Sequence, residues 1–242
     1  MVDAEGLEMA DDELCPQKVV DIPELRDREG VFEDRAEAGR RLAEMLEPLR
    51  GTDALVLGIP AGGVPVATPL AEDLGLELDV AVVSKITLPW NTEAGYGAVA
   101  FDGTVRINEP LRARLGLSDR DVEEGIEATR NKVRRRVLEL RGERPLPDVG
   151  DRTVVLCDDG LASGFTMLTA AQAVREAGPE RLIVAVPTAH TESLNRISDE
   201  VDCIYCCNLR GGMRFAVAST YRHWRDVPLE EARALLEKHH AE

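Results

Sequence analysis

The chain has 242 residues, 45 of them acidic and 29 basic, for a formal net charge of −16. That balance argues against a non-specific nucleic-acid binder, which needs a cationic surface. No apolar run approaches a membrane span and the acidic N-terminus does not read as a signal peptide, so a cytoplasmic chain with one sizeable core is expected.

Residues 1–17 are acidic and aperiodic and read as a flexible tail, which leaves 18–242 as a single domain. Val31–Arg50 places Phe32, Ala36, Leu42, Met45 and Leu46 at helical spacing, and Gly51 stops it. Asp53–Gly58 reads as a strand that runs into Ile59-Pro60-Ala61-Gly62-Gly63, and Val64–Leu74 as a helix stopped by Gly75. Leu78–Val83 is a further apolar strand ending at Ser84-Lys85. Ile86–Tyr96 carries Pro89, Asn91 and Gly95 as breakers and reads as a long loop with Trp90 at its tip. Gly97–Phe101 and Thr104–Ile107 flank Asp102-Gly103 as a β-hairpin.

Ser118-x-x-Asp121 resembles a capping box that opens a long charged helix to Leu140, whose run Arg130–Arg136 is a solvated face. Val154–Cys157 suits a buried strand, and Phe165 to about Ala177 a helix stopped by Gly178-Pro179. Leu182–Val186 is another apolar strand, Thr191–Ser198 a short helix, and Cys203–Cys207 the last central strand. Pro228 opens a terminal helix with Ala232, Leu235 and Leu236 on one face. Apolar strands alternating with helices specify an α/β, Rossmann-like fold, a mainly parallel central sheet flanked by helices.

The five cysteines are Cys15, Cys157, Cys203, Cys206 and Cys207. An odd count without an export signal predicts reduced thiols. Cys203-x-x-Cys206 lacks the second cluster that structural zinc wants, and its apolar flanks favour small buried thiols in a strand. Only four of the basic residues are lysines, Lys18, Lys85, Lys132 and Lys238, and this acid-rich, lysine-poor composition is halophile-like.

The chemistry concentrates where the strand Val154–Cys157 ends in Asp158-Asp159, followed by Gly160-Leu161-Ala162-Ser163-Gly164 and the helix start Phe165-Thr166. Parallel strands place ligands at their carboxyl ends. A small-residue loop before a helix offers free N–H groups and a partial positive charge, a cradle for phosphate. Two adjacent carboxylates repel phosphate but accept hydrogen bonds from sugar hydroxyls or help hold a divalent cation. The stretch therefore predicts a sugar-phosphate pocket. Ile59–Pro65 also joins a strand to a helix, and its glycines allow a ligand close to the backbone.

The apolar run, acidic pair, small-residue loop and Thr166, in that order, resemble the 5-phosphoribosyl-1-pyrophosphate (PRPP) motif of the type I phosphoribosyltransferases. The resemblance extends from Val31 to Leu236. It is strongest to a little-characterised subgroup that shares Gly62–Val66 as Gly-Gly-Val-Pro-Val, Phe32-Glu33-Asp34-Arg35, Asn91-Thr92-Glu93 and Gly97-Ala98-Val99. It implies a type I phosphoribosyltransferase fold with a small hood, here about 203–242, and a β-hairpin/lid insertion. It also implies transfer of the 5-phosphoribosyl group from PRPP to a nitrogenous acceptor, with Mg2+ as cofactor and a homo-oligomer as the assembly.

By the same resemblance Asp158 and Asp159 hold the ribose and reach the metal indirectly, through hydroxyls or water. Ala162, Ser163, Gly164, Phe165 and Thr166 cradle the 5′-phosphate, and Ala61, Gly62, Gly63, Lys85 and Arg35 bind pyrophosphate. Lys85 counts with the two aspartates as catalytic, and Ile86–Tyr96 would be the lid. Many relatives carry Arg at the position of Ala61 and Arg-Lys at Ser84-Lys85, and each lost charge-assisted hydrogen bond is worth roughly 1.5–3 kcal/mol. Acceptor candidates lie in Thr188–Thr191 and Leu209–Trp224, among them His190, Phe215, Tyr221, Trp224 and the basic, Gly-rich Arg210–Phe215. The competing reading is a non-catalytic PRPP or nucleotide sensor on the same fold. A phosphohydrolase fits poorly, because its nucleophilic Asp normally sits in Asp-x-Asp spacing.

Overall fold

The computed structural model describes residues 14–212 and 215–241. In chain order the strands are β1 (Val19–Asp21), β2 (Leu55–Gly58), β3 (Glu77–Val80), β4 (Val83–Leu88), β5 (Asn91–Ala100), β6 (Val105–Ile107), β7 (Thr153–Cys157), β8 (Arg181–His190) and β9 (Cys203–Arg210). The helices are α1 (Arg35–Met45), α2 (Val64–Leu74), α3 (Glu109–Leu115), α4 (Asp119–Arg141), α5 (Phe165–Glu176), α6 (Thr191–Ile197) and α7 (Leu229–Ala241). Six strands form one sheet in the order β1-β9-β8-β7-β2-β3, with every neighbouring pair parallel. The expected α/β architecture is present.

Both faces of this sheet are covered, which is why its strands are continuous apolar runs. On one face Val56 and Val155 pack with Leu42 of α1 and Val66 and Leu70 of α2. On the other, Leu55, Leu57, Val154 and Leu156 pack with Met167, Leu168 and Ala171 of α5. β2 and β7 are direct neighbours, pairing Gly58 with Cys157, so the segments leaving their carboxyl ends start side by side.

Several boundaries differ from the sequence reading. α1 begins at Arg35 rather than Val31, because the Asp34 carboxylate accepts the Glu37 N–H at 2.9 Å and caps it there. The run expected as one strand over Leu78–Val83 splits between two sheets, as β3 and β4. Ile86–Tyr96 is not a loop: β4 and β5 form an antiparallel hairpin, continued by the expected β5–β6 hairpin. The register shifts between Ile86 and Leu88 accommodate the irregular sequence. Gly95 has a packing role there, since a Cβ would stand 2.1 Å from Lys85 Cγ. Trp90, at the turn of the β4–β5 hairpin, is 64% exposed.

The cysteine expectation also needs correction. Cys15 and Cys203 form a disulfide, with Cα atoms 5.9 Å apart, whereas Cys157, Cys206 and Cys207 are free and buried. The cause is β1, which the sequence reading missed. It lies on the sheet edge beside β9, bringing the preceding residues to Cys203, and the Tyr205 hydroxyl donates to Leu14 O. Of the expected tail, residues 1–13 lie outside the described residues, while Leu14 is buried.

Candidate functional site

The Asp-Asp motif and the Gly-rich loop meet. The Ile59 N–H donates to Cys157 O at 2.8 Å, which ties the root of one to the root of the other. A Cβ on Gly62 would lie 2.2 Å from Asp159 Oδ2. A Cβ on Gly63 would lie 2.6 Å from both Cys157 O and Ile59 O, and 2.9 Å from Asp158 Cα. These glycines are required by closeness: any side chain would force the loop off the aspartates. The Pro60–Ala61 peptide is cis. The Gly63 N–H turns back to Ile59 O at 2.9 Å, so it is not offered to the pyrophosphate that the sequence analysis assigns to Gly63. Among the described residues the Ala61 and Gly62 N–H groups meet no acceptor.

Residues 160–164 are held differently. The Leu161 N–H donates to Thr188 O at 2.9 Å, and Leu161 O accepts the His190 N–H at 3.3 Å, stitching the loop to β8. The Ser193 hydroxyl of α6 donates to Ala162 O, and the Arg196 guanidinium to Ser163 O. In a trans peptide the N–H points opposite to the C=O. Anchoring the carbonyls of Leu161, Ala162 and Ser163 therefore turns the N–H groups of Ala162, Ser163 and Gly164 the other way. Among the described residues these three N–H groups meet no acceptor. The Phe165 N–H has a long contact with Ser163 Oγ, 3.4 Å, and Thr166 lies in the first turn of α5. The helix terminus adds its partial positive charge to the same place. The Phe165 ring lies under the Arg196 guanidinium, 5.5 Å from its centroid. Gly160 is needed because a Cβ would meet Val217 Cγ1 at 2.6 Å.

The two aspartates have unequal surroundings. Asp159 Oδ2 accepts two bonds from Arg35, from Nε at 2.9 Å and Nη2 at 2.8 Å. Arg35 is buried, donates also to Arg225 O at 2.9 Å, and lies 4.0 Å from the Trp224 ring centroid. The Tyr221 hydroxyl donates to Asp159 O at 2.7 Å, and the Tyr221 ring lies tilted between Phe32 and Trp224. Among the described residues Asp158 pairs with no cation of its own; its Oδ1 accepts the Asp159 N–H at 2.8 Å. Burial, and then the charge of Asp159, push the Asp158 carboxyl well above the usual carboxylate range. Burial raises the Asp159 carboxyl too, against the opposing pull of Arg35. Burial and the Asp159 charge also push the Tyr221 phenol well up.

The sequence-nominated residues thus fall into two groups. Asp158, Asp159, Ala61–Gly63, Arg35 and Ala162–Thr166 converge on the carboxyl ends of β2 and β7. Lys85 does not end a strand of the parallel sheet. It is the third residue of β4, exposed, in the antiparallel sheet, where with Arg136 it lowers the pKa of Lys132, itself depressed mainly by burial. His190 caps α6, its Nδ1 accepting the Glu192 N–H at 3.3 Å, and its Nε2 lies 3.0 Å from Gly212 O. Of the Gly-rich run Arg210–Phe215, Met213 and Arg214 lie outside the described residues. The sequence reading missed Ser193 and Arg196, whose only signal is a hydroxyl and a cation three residues apart on a short helix, and the Tyr221 hydroxyl contact. Among the described residues no cluster of three or more metal-binding side chains occurs, and no helix is long and apolar enough to cross a membrane.

A family model described as "Phosphoribosyl transferase domain" matches residues 32–220. The Mycobacterium tuberculosis (strain ATCC 25618 / H37Rv) protein named "Putative phosphoribosyl transferase Rv0571c" is 32% identical over 210 residues, 87% of this chain and 47% of that protein. The chain spans about half the length of the curated relatives it matches. The crystal structure of TT1426 from Thermus thermophilus is similar at a TM-score of 0.70 and 36% identity, covering 86% of this chain and 98% of that one.

Proposed function

Because the chain belongs to the phosphoribosyl transferase domain family, we propose that it transfers the 5-phosphoribosyl group of PRPP to a nitrogenous acceptor and releases pyrophosphate. One observation carries this reading: the Gly62 backbone lies so close to Asp159 that a single added carbon would collide with its carboxylate. A sugar held by the aspartates would have a phosphate cradle on one side and a second backbone loop on the other, the arrangement a substrate with phosphates at both ends requires.

Asp158 and Asp159 accept hydrogen bonds from the ribose hydroxyls. Their negative field favours the positive charge that builds on the sugar ring as the C1–oxygen bond lengthens. The N–H groups of Ala162, Ser163 and Gly164, with Phe165 and Thr166 at the helix start, bind the 5′-phosphate. The Ala61 and Gly62 N–H groups face pyrophosphate, and Gly63 lets that loop approach. Arg35 lies within the same constellation and adds a cation there. Lys85 and Trp90 lie on the β4–β5 hairpin, and closure of that hairpin over the strand ends would bring Lys85 to pyrophosphate and exclude water.

Mg2+ suits a doublet of carboxylates that, among the described residues, pairs with the single cation Arg35, because a divalent ion would offset the negative charge that Arg35 leaves. Asp158 and Asp159 would reach it through ribose hydroxyls or water. When bound it supplies charge neutralisation to the leaving pyrophosphate.

The test is a panel of nitrogenous bases and amines with PRPP and Mg2+, following pyrophosphate release in dilute and in high-salt buffer. Release with at least one acceptor, lost in Asp158→Asn/Asp159→Asn, is the expected result. PRPP binding with no release for any acceptor would instead favour the sensor reading.

A further inference from the structure

A second cavity lies on the far side of Arg35. It occupies about 770 Å³ between α1, α2, the segment 222–227 and α7, within the range of small-molecule sites. Its apolar surfaces include Pro65, Pro69, Val227, Leu235 and the indole of Trp224, which is 39% exposed. Five basic side chains line it, against the acids Asp34, Glu72 and Glu231. That is an excess of cations in a chain with 45 acidic and 29 basic residues. Four of the five are paired: Arg35 with Asp159 at 2.8 Å, Arg225 with Glu231 at 2.6 Å, Arg222 with Glu33 at 3.0 Å, and Lys238 with Glu72 at 4.0 Å. Arg40 is exposed and has no acid partner among the described residues. A cavity with an accessible indole, proline ledges and arginine at its rim suits a planar ring that carries an anion. The indole stacks the ring, and the guanidinium takes the phosphate.

We infer that this cavity is a regulatory site for a nucleoside phosphate, distinct from the PRPP pocket and coupled to it through Arg35. The coupling is structural. One guanidinium lies 4.0 Å from the Trp224 ring centroid in the cavity wall and 2.8 Å from Asp159 Oδ2 in the sugar site. A nucleotide that moves Trp224, or draws on Arg35, changes how much of the Asp159 charge is neutralised, and so alters the affinity for PRPP. Coupling between two binding sites is reciprocal, so PRPP changes nucleotide affinity by the same factor. The coupling half of the inference rests on the phosphoribosyl transfer reading; the cavity half does not.

The test uses the full chain with Trp90→Phe, which leaves Trp224 as its single tryptophan. Titration with AMP, GMP, CMP and UMP, followed by Trp224 fluorescence, should give a saturable change with at least one of them. Arg40→Glu should weaken that binding about tenfold, the loss of one charge-assisted contact, while leaving PRPP affinity without nucleotide unchanged. Saturating nucleotide should shift the PRPP dissociation constant about fivefold in the parent, a typical coupling, and not in Arg40→Glu. Nucleotide binding that ignores Arg40→Glu, competes with PRPP and disappears in Asp158→Asn would be product binding in the sugar pocket and would overturn the inference, as would the absence of any fluorescence change. Failure of PRPP to bind at all, with Arg40-dependent nucleotide binding intact, would remove the transfer reading and the coupling but uphold the cavity as a nucleotide site.

Discussion

The loops that leave β2 and β7 stand side by side and are shaped by opposite means. Ile59–Gly63 is fixed by exclusion, because backbone oxygens and Asp159 fill the space where side chains would be. Gly160–Gly164 is fixed by tethers, since β8 and α6 hold three successive carbonyls from behind. The first kind of loop is intolerant of a single added atom. The second depends on groups distant in sequence that can be cut one at a time. Two anion-binding loops of similar composition therefore fail differently.

Gly63→Ala should have the largest effect. Its Cβ would meet two main-chain oxygens at 2.6 Å, and backbone at a strand end cannot yield cheaply. A loss of about 4 kcal/mol or more, near the top of the range for single substitutions, would appear as a fall in Tm of roughly 10 °C. A Tm within 2–3 °C of the parent, roughly 1 kcal/mol, would mean that the loop is not fixed by exclusion.

Asp159→Asn probes the wall that the two loops share. It removes the counter-charge of buried Arg35, and stranding one partner of a buried pair costs about 3–5 kcal/mol. Replacing both partners, Arg35→Met with Asp159→Asn, should recover a large part of that loss in urea denaturation. If the double variant is no more stable than Asp159→Asn, the cost lies elsewhere.

Ser193→Ala tests a tether. The Ala162 carbonyl would lose its donor while the core stays intact, so Tm should change little. PRPP affinity should fall about five- to tenfold, equivalent to about 1 kcal/mol for one lost hydrogen bond. The signature of a positioning residue is a raised KM for PRPP with kcat less altered, and partial rescue in Ser193→Thr.

For Asp158→Asn, a variant expected to lose transfer, the change in stability is small and of the opposite sign. The Asp158 carboxyl in the folded chain titrates above its ordinary 3.8. The folded state therefore binds a proton more tightly than the unfolded chain does. This group's contribution becomes progressively unfavourable as pH rises from the ordinary value through the raised one. Asp158→Asn removes that burden while keeping an acceptor for the Asp159 N–H. Its Tm should exceed the parent's by a few degrees at neutral pH, with the difference vanishing as pH falls below the ordinary 3.8, where the carboxyl is protonated in the folded and the unfolded chain alike. A difference independent of pH would rule out the ionisation as its source.

The parallel sheet was legible because burial on both faces leaves nothing but apolar residues in Val154–Cys157 and Leu55–Leu57. The meeting of the Asp doublet with the Gly-rich loop could be read because each motif is local and each ends a strand. The β4–β5 hairpin was hidden by Pro89, Asn91 and Gly95, which mimic loop chemistry; Gly95 is there to clear the Lys85 stem. Ser193 and Arg196 were invisible because their partners are backbone carbonyls 31 and 33 residues away, which no side-chain pattern reports. The pairing of Cys15 with Cys203 spans 188 residues, and its edge strand of three residues is too short to produce an alternation.

That edge strand has a consequence for how the chain matures. Val19 pairs with Ile204, so β1 is made long before its mate. β1 must wait for β9, and only when the two are side by side can the crosslink from Cys15 to Cys203 close. Assembly of this sheet from β8 outward, with the β1 edge sealed after β9, is the order this connectivity favours.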